Sequence, residues 1–157
     1  MDIDATTVIL PKDDPYNLQR FVDAQGPLIA SALVELQHGR KRGHWIWFIF
    51  PQLKGLGRSA NSEFFGISGL AEAQAYAEHP VLGARLTDCT QAVNVVKNRT
   101  VEDIFGEVDA MKFRSSMTLF ASAAPKNEIF LAALATYFAG EPDPLTTQYL
   151  AGPHLTF

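Results

Sequence analysis

Apolar residues recur along most of this chain at helical spacing, and no second convincing strand pattern accompanies the one apolar run that lacks a period. Leu18, Phe21 and Val22 make a first stripe, with Asp13 or Asp14 as cap and Pro15 in the first turn. Leu28, Ala32, Leu33 and Leu36 make a second, between Gly26-Pro27 and Gly39. Ser59 is placed to cap a short helix through Phe65. From Ser68, a helix sets Leu70, Ala73, Tyr76 and Ala77 on neighbouring rows, with Glu72 in its first turns where the helix dipole favours an acid, until His79-Pro80 breaks it. Val81, Leu82, Leu86, Cys89, Val93 and Val96 carry the next helix from Pro80 to about Lys97. Thr100 to Asp103 has the form of a capping box for a brief helix into Gly106. Phe113, Met117, Phe120, Ala121 and Ala124 stripe a helix from Asp109 to Ala124, and Ile129, Phe130, Leu134 and Phe138 stripe one from Asn127 to Ala139. Asp143-Pro144 opens a last short helix to Leu150.

These patterns predict an all-α fold: a single compact helical domain of about seven to eight helices around a buried aromatic segment. The domain is expected over residues 13–151, with a loose arm at 1–12 and a tail at 152–157. The aromatic segment is Trp45 to Phe50, six continuous apolar residues whose pattern fits a buried strand or a buried helical turn. With no partner strand in view, the helical reading is preferred. Pro51 ends it, and Gln52 to Gly57 forms a loop.

Charge makes this region more than a core element. Between Glu35 and Glu63 no acidic residue occurs, whereas Arg40, Lys41, Arg42, Lys54 and Arg58 all fall there, in a chain of net charge −4. A local cationic patch on an acidic protein can focus an anionic ligand. The net charge argues against general nucleic-acid binding, and Arg40-Lys41-Arg42 would neutralise few phosphates. At 157 residues, with 47% hydrophobic and 19% charged residues, the chain can bury a full core and is not a disordered protein. Its one cysteine, Cys89, lies among apolar neighbours and reads as a small buried hydrophobe. The first ten residues lack the basic and apolar regions of a secretory signal, and no apolar run approaches a membrane span, which predicts a cytoplasmic protein with no membrane partner.

No nucleophile elbow, P-loop, dinucleotide fingerprint or zincin motif is present, and the four histidines lack the spacing of a metal site. Gly55-Leu-Gly57-Arg58-Ser59 is a better lead, since glycines before a capped helix let backbone N–H groups approach an anion. Lys112, Arg114, Ser115 and Ser116 add two cations and two hydroxyls on another helix. The candidate ligand-binding residues are therefore Arg40, Arg42, Trp45, Trp47, Gln52, Arg58, Ser59, Lys112, Arg114 and Ser115, with a tryptophan stacking a ring and the cations meeting phosphate or carboxylate. His44 is the acid/base candidate by residue type. Two functions fit: a small-molecule site for an anionic, nucleotide-like ligand, open as to whether chemistry follows and as to any cofactor, or an interaction module docking an acidic partner protein through the basic loop 39–58.

Several blocks also resemble one family. Gly39-Arg-Lys-Arg-Gly-His-Trp-Ile-Trp-Phe-Ile-Phe-Pro-Gln-Leu53, Gly55-Leu-Gly-Arg-Ser59, the string from Glu72 through His79-Pro-Val-Leu-Gly to Arg85-Leu86, and Lys112-Phe-Arg-Ser-Ser-Met-Thr-Leu-Phe120 resemble the domain-of-unknown-function 1810 family of small bacterial proteins. The resemblance covers about residues 15 to 150 and implies a mostly α-helical domain standing alone in its chain; it implies no activity. The calpastatin label carried by some members does not suit this chain, because calpain inhibitors are disordered repeats and this sequence has a core and no repeats.

Overall fold

A computed structural model describes residues 13–155, and among them ten helices follow the apolar stripes. They are α1 (Gln19–Gln25), α2 (Ile29–Gln37), α3 (Ile46–Ile49), α4 (Ala60–Phe64), α5 (Leu70–Glu78), α6 (Leu82–Asn94), α7 (Val101–Phe105), α8 (Glu107–Ala123), α9 (Ile129–Phe138) and α10 (Pro144–Leu155). The all-α class holds, and the helix count exceeds the expected seven to eight because three elements of four or five residues stand alone. The boundary between α7 and α8 is set by Gly106, whose φ of 81° lies in the left-handed region that favours glycine. No helix among the described residues is long and apolar enough to cross a membrane.

Local chemistry explains where the expected boundaries moved. Asp14 does cap, accepting from the N–H groups of Leu18 and Gln19, but Asn17 turns left-handed at φ 53° and delays α1 to Gln19. α6 stops at Asn94 rather than Lys97, and the chain then turns at Asn98 with φ 62°. α10 runs to Leu155, beyond the expected Leu150 and into the stretch read as a tail. The expected arm at 1–12 lies outside the described residues. Other signals appear as read: the capping box of Thr100 and Asp103, the Ser59 cap of α4, and Asp143 accepting from the N–H and hydroxyl of Thr146 at the start of α10.

α8 is the axle. It packs against α5, α7, α9 and α10, and its residues from Ser115 to Phe120 are all buried. A helix buried on every side at its middle is expected only at the centre of a domain. The aromatic turn α3 meets it through Phe50, whose ring lies edge-on to Phe113 at 4.9 Å and to Phe105 at 5.9 Å. On the other side Tyr76 links Phe21 to Phe120, at 5.0 and 5.2 Å. Trp45 to Phe50 is thus a buried helical turn, as preferred, with only Trp47 half-exposed along it.

So short a helix cannot satisfy its own carbonyls. The Phe48 carbonyl accepts from Gln25 Nε2 at 2.6 Å, and Gln25 also donates to the Tyr76 hydroxyl at 2.9 Å; all three residues are buried. After Pro51, one bridge between Leu53 and Ile67 ties the loop to the segment before α5, through Lys54 N–H to Ile67 O at 2.8 Å and Ile67 N–H to Gln52 O at 2.9 Å. The adjoining Gly66 is required there, since a Cβ would stand 2.6 Å from the Lys54 Cα.

Glu72 lies in the first turn of α5, where the helix dipole favours an acid as expected, and is also a buried ion-pair partner. It is 3% exposed, lies 2.9 Å from Arg20 Nη2, and accepts from the Ser68 N–H and hydroxyl. Arg20 also donates to the carbonyls of Tyr16, Asn17, Phe64 and Gly66, so one guanidinium fastens the α4–α5 connection to α1. Removing one partner of a buried pair strands the other charge. Arg20→Ala is therefore expected to cost about 3–5 kcal/mol, read as a lower urea midpoint, and adding Glu72→Gln to that variant is expected to recover part of the loss.

Candidate functional site

The basic loop is built around one carboxylate. Glu35, near the end of α2, accepts at Oε1 from the backbone N–H of Arg42 (2.8 Å), the backbone N–H of Gly43 (3.0 Å) and the Trp45 indole (2.9 Å). Burial pushes its pKa up, but these donors and the Lys41 charge outweigh that and hold it below its ordinary 4.5. Gly43 lies so close to the Trp45 ring that a Cβ there would stand 2.7 Å from Cδ1. Lys41 turns inward, 8% exposed, with Nζ 2.8 Å from Asp109 Oδ2 on α8 and 5.0 Å from the centre of the Trp45 ring.

With α3 and its following loop fixed in this way, a cleft of about 330 Å³ opens between residues 52–62, the first half of α8 and the start of α10. Gln52, Arg58, Ser59, Ser62, Lys112 and Ser115 supply its polar wall. Val108, Met111 and Leu145 supply an apolar wall, and they are 67%, 68% and 61% exposed. Asp143 also lines it, with Oδ2 engaged by Thr146. The spacing 108, 111, 112, 115 puts four cleft residues on one face of α8, while Phe113, Met117 and Phe120 face the core.

Within the cleft the groups are partly committed. Ser59 Oγ accepts from Ser62 N–H at 3.1 Å and donates to Ser62 Oγ at 3.0 Å; Ser115 Oγ donates to the Met111 carbonyl at 3.1 Å. Lys112 Nζ is 3.8 Å from Asp109 Oδ1, an ion-pair separation longer than a hydrogen bond, and half-buried. Arg58 is exposed at the rim. Gly57 is held close, since a Cβ would meet Ser62 Oγ at 2.3 Å. α4 has five residues, so it lends little helix dipole, and the cationic character of the cleft comes from side chains rather than from the helix start read in the sequence.

Of the ten residues expected to bind a ligand, Gln52, Arg58, Ser59, Lys112 and Ser115 line this one cleft. Trp47 adjoins it through a small inner void that it shares with Gln52, Ser62 and Lys112. The rest lie elsewhere. Trp45 is 1% exposed with its indole on Glu35, so it serves the core. Arg40 and Arg42 are exposed on the loop before α3, as is His44, and none of them lines the cleft. Arg114 turns away toward the α9–α10 connection, donating to the Glu141 carbonyl at 3.1 Å and lying 5.5 Å from the Phe138 ring centre. Val108, Met111, Leu145 and Asp143 escaped the sequence reading. The legible signal for the first two was an apolar pair outside the core stripe of α8, in register with Lys112 and Ser115.

The fold and this cleft define a small all-α protein with a cationic, apolar-walled depression on one face. The chain belongs to the family described as "Protein of unknown function (DUF1810)", whose model matches residues 15–150. It is similar to the crystal structure of the conserved hypothetical protein Rv1873 from Mycobacterium tuberculosis, at 54% identity over 88% of this chain and 99% of that one, with a TM-score of 0.87. No curated protein matches this chain.

Glu35 provides a test of the loop's anchor. Its lowered pKa means stability that is present above the ordinary value of 4.5 and lost as pH falls through the folded value. Glu35→Ala, which also orphans the buried Trp45 N–H, is expected to cost about 1–3 kcal/mol at neutral pH. In urea melts across pH, the gap between wild type and variant is expected to narrow as the solution turns acid below 4.5.

Proposed function

We propose that the cleft binds a small anionic molecule with an apolar body, its acid group on Arg58 and Lys112 and its body along Val108, Met111 and Leu145. The observation that carries the reading is the joining, in one concavity, of two cations 54 positions apart in sequence with three exposed apolar side chains. Apolar walls with a few convergent polar groups are the usual make-up of small-molecule sites, and the cleft's volume is at the lower end of their range. Exposed apolar side chains gathered at a concavity are themselves a mark of a binding surface. His44 stands outside the cleft, so the reading is one of binding, with no catalytic step assigned. The other reading, an acidic protein docked on loop 39–58, is weakened because Lys41 is buried in its pair with Asp109 and only Arg40 and Arg42 of the run point outward.

Phenyl phosphate joins an oxyanion to an apolar ring and serves as a probe beside inorganic phosphate and phenol. It is expected to raise the melting temperature of the protein more than either, approaching about 2.7 kcal/mol of stabilisation at a hundredfold excess over its Kd. Arg58→Ala with Lys112→Ala is expected to abolish the effect, and Arg40→Ala with Arg42→Ala to leave it intact. Equal stabilisation of all three proteins would place the anion elsewhere; loss only with Arg40 and Arg42 would favour the basic loop.

A further inference from the structure

Behind the cleft, Trp47, Phe50 and Phe65 close over a void of about 10 Å³ whose remaining wall includes Gln52, Ser62 and Lys112. Those last three residues also line the cleft, so the void adjoins it. Trp47 as a whole is half-exposed, yet its indole nitrogen is shut off from solvent and has no hydrogen-bond partner. A buried donor left unpaired is costly, and Trp buried in proteins usually finds an acceptor. Among the described residues three other buried polar atoms are unpaired, on Thr90, Asn94 and Ser116, but none of those residues lines the cleft or the void. Trp45, ten positions after Glu35, shows the ordinary arrangement, its indole donating to that carboxylate at 2.9 Å.

We infer that Trp47 is a specificity-determining donor at the inner end of the cleft, its indole N–H holding one oxygen of the ligand's phosphate or carboxylate group. The inference rests on the binding reading above and sharpens it. The void is about the size of one water, room for a single oxygen and not for a ring. Lys112 borders that space with its Nζ no closer than 3.8 Å to its acidic neighbour, so its donors are available to the same oxyanion, and the Gln52 side chain lies along the same wall. Trp47 then acts through its N–H edge, not by stacking a ring, and the ligand is one whose oxyanion enters first with its apolar body left against Val108, Met111 and Leu145. A neutral ligand gives that donor a weaker acceptor and no charge for Lys112.

The chain has two tryptophans, so its ¹H–¹⁵N spectrum carries two indole signals, and phenyl phosphate is the probe. Trp47→Phe identifies one signal by its disappearance; Glu35→Gln identifies the other by moving Trp45, so the assignment survives if the first variant fails to fold. On titration the Trp47 indole proton is expected to move downfield while the Trp45 signal stays. Trp47→Phe is expected to weaken phenyl phosphate binding about tenfold or more, with phenol binding unchanged. If phenyl phosphate shifts the backbone amides of Gly57, Arg58 and Lys112 but leaves the Trp47 indole in place, the inference falls and the cleft reading stands. If no amide around the cleft moves, both fall.

Discussion

Three N–H groups converge on a single oxygen of Glu35, and the geometry of the whole basic and aromatic stretch depends on that convergence. The Lys41 N–H is held by the Ile104 carbonyl at 2.7 Å, but residues 42–44 have no backbone–backbone hydrogen bonds to set their path. The carboxylate substitutes for them, turning the backbone at Arg42 and Gly43 and fixing the Trp45 indole, from which α3 begins. Once Trp45 is seated, Ile46, Phe48, Ile49 and Phe50 enter the core in one turn, and Pro51 releases the chain into the loop that forms one wall of the cleft. A charge-assisted acceptor at this point is stronger than a neutral one, which suits a position where three donors must be met at once.

α8 shows how one helix can serve core and surface. Its second half is encircled, whereas one face of its first half is open and carries Val108, Met111, Lys112 and Ser115 into the cleft. The facing wall comes from a loop held by the bridge between Leu53 and Ile67 and by the Arg20–Glu72 pair beyond it. Both walls are therefore tied to buried structure, and neither relies on a long unsupported loop. For the ligand proposed above, little loop ordering would remain to oppose binding.

The helices were legible because periodicity and caps are local: Thr100 with Asp103, Ser59 with Ser62, and Asp143 with Thr146 act within three residues of each other. The resemblance of the sequence blocks to one family was equally local and agrees with the family match. Five of the ten candidate residues, chosen by type, do line one cleft: Gln52, Arg58, Ser59, Lys112 and Ser115. What could not be read was which of them meet. Trp45 and Lys41 are indistinguishable in sequence from Trp47 and Arg58; only the contact with Glu35, and the one with Asp109 on a distant helix, make the first two structural. The apolar wall was hidden for another reason, because Met111 and Leu145 lie outside the core stripes and only the packing brings them to one cleft.

The five cations of the acid-free stretch are divided by the fold, and one of them, Lys41, meets the acid that also neighbours Lys112 of the cleft. Lys41 goes inward and sits 2.8 Å from Asp109, while Lys112, on the same helix as that acid, is 3.8 Å from its other oxygen. The shorter contact takes the larger share of the carboxylate's charge, since attraction falls with distance and Lys41 is the more deeply buried of the two. Lys112 is thereby left only partly neutralised at the floor of the cleft, facing the same space as Arg58. The Glu35-anchored loop thus does two things: it places the aromatic turn, and through Lys41 it gives Asp109 a cationic partner closer than Lys112. On a protein of net charge −4, a local pair of cations of this kind is what the proposed anionic ligand would require.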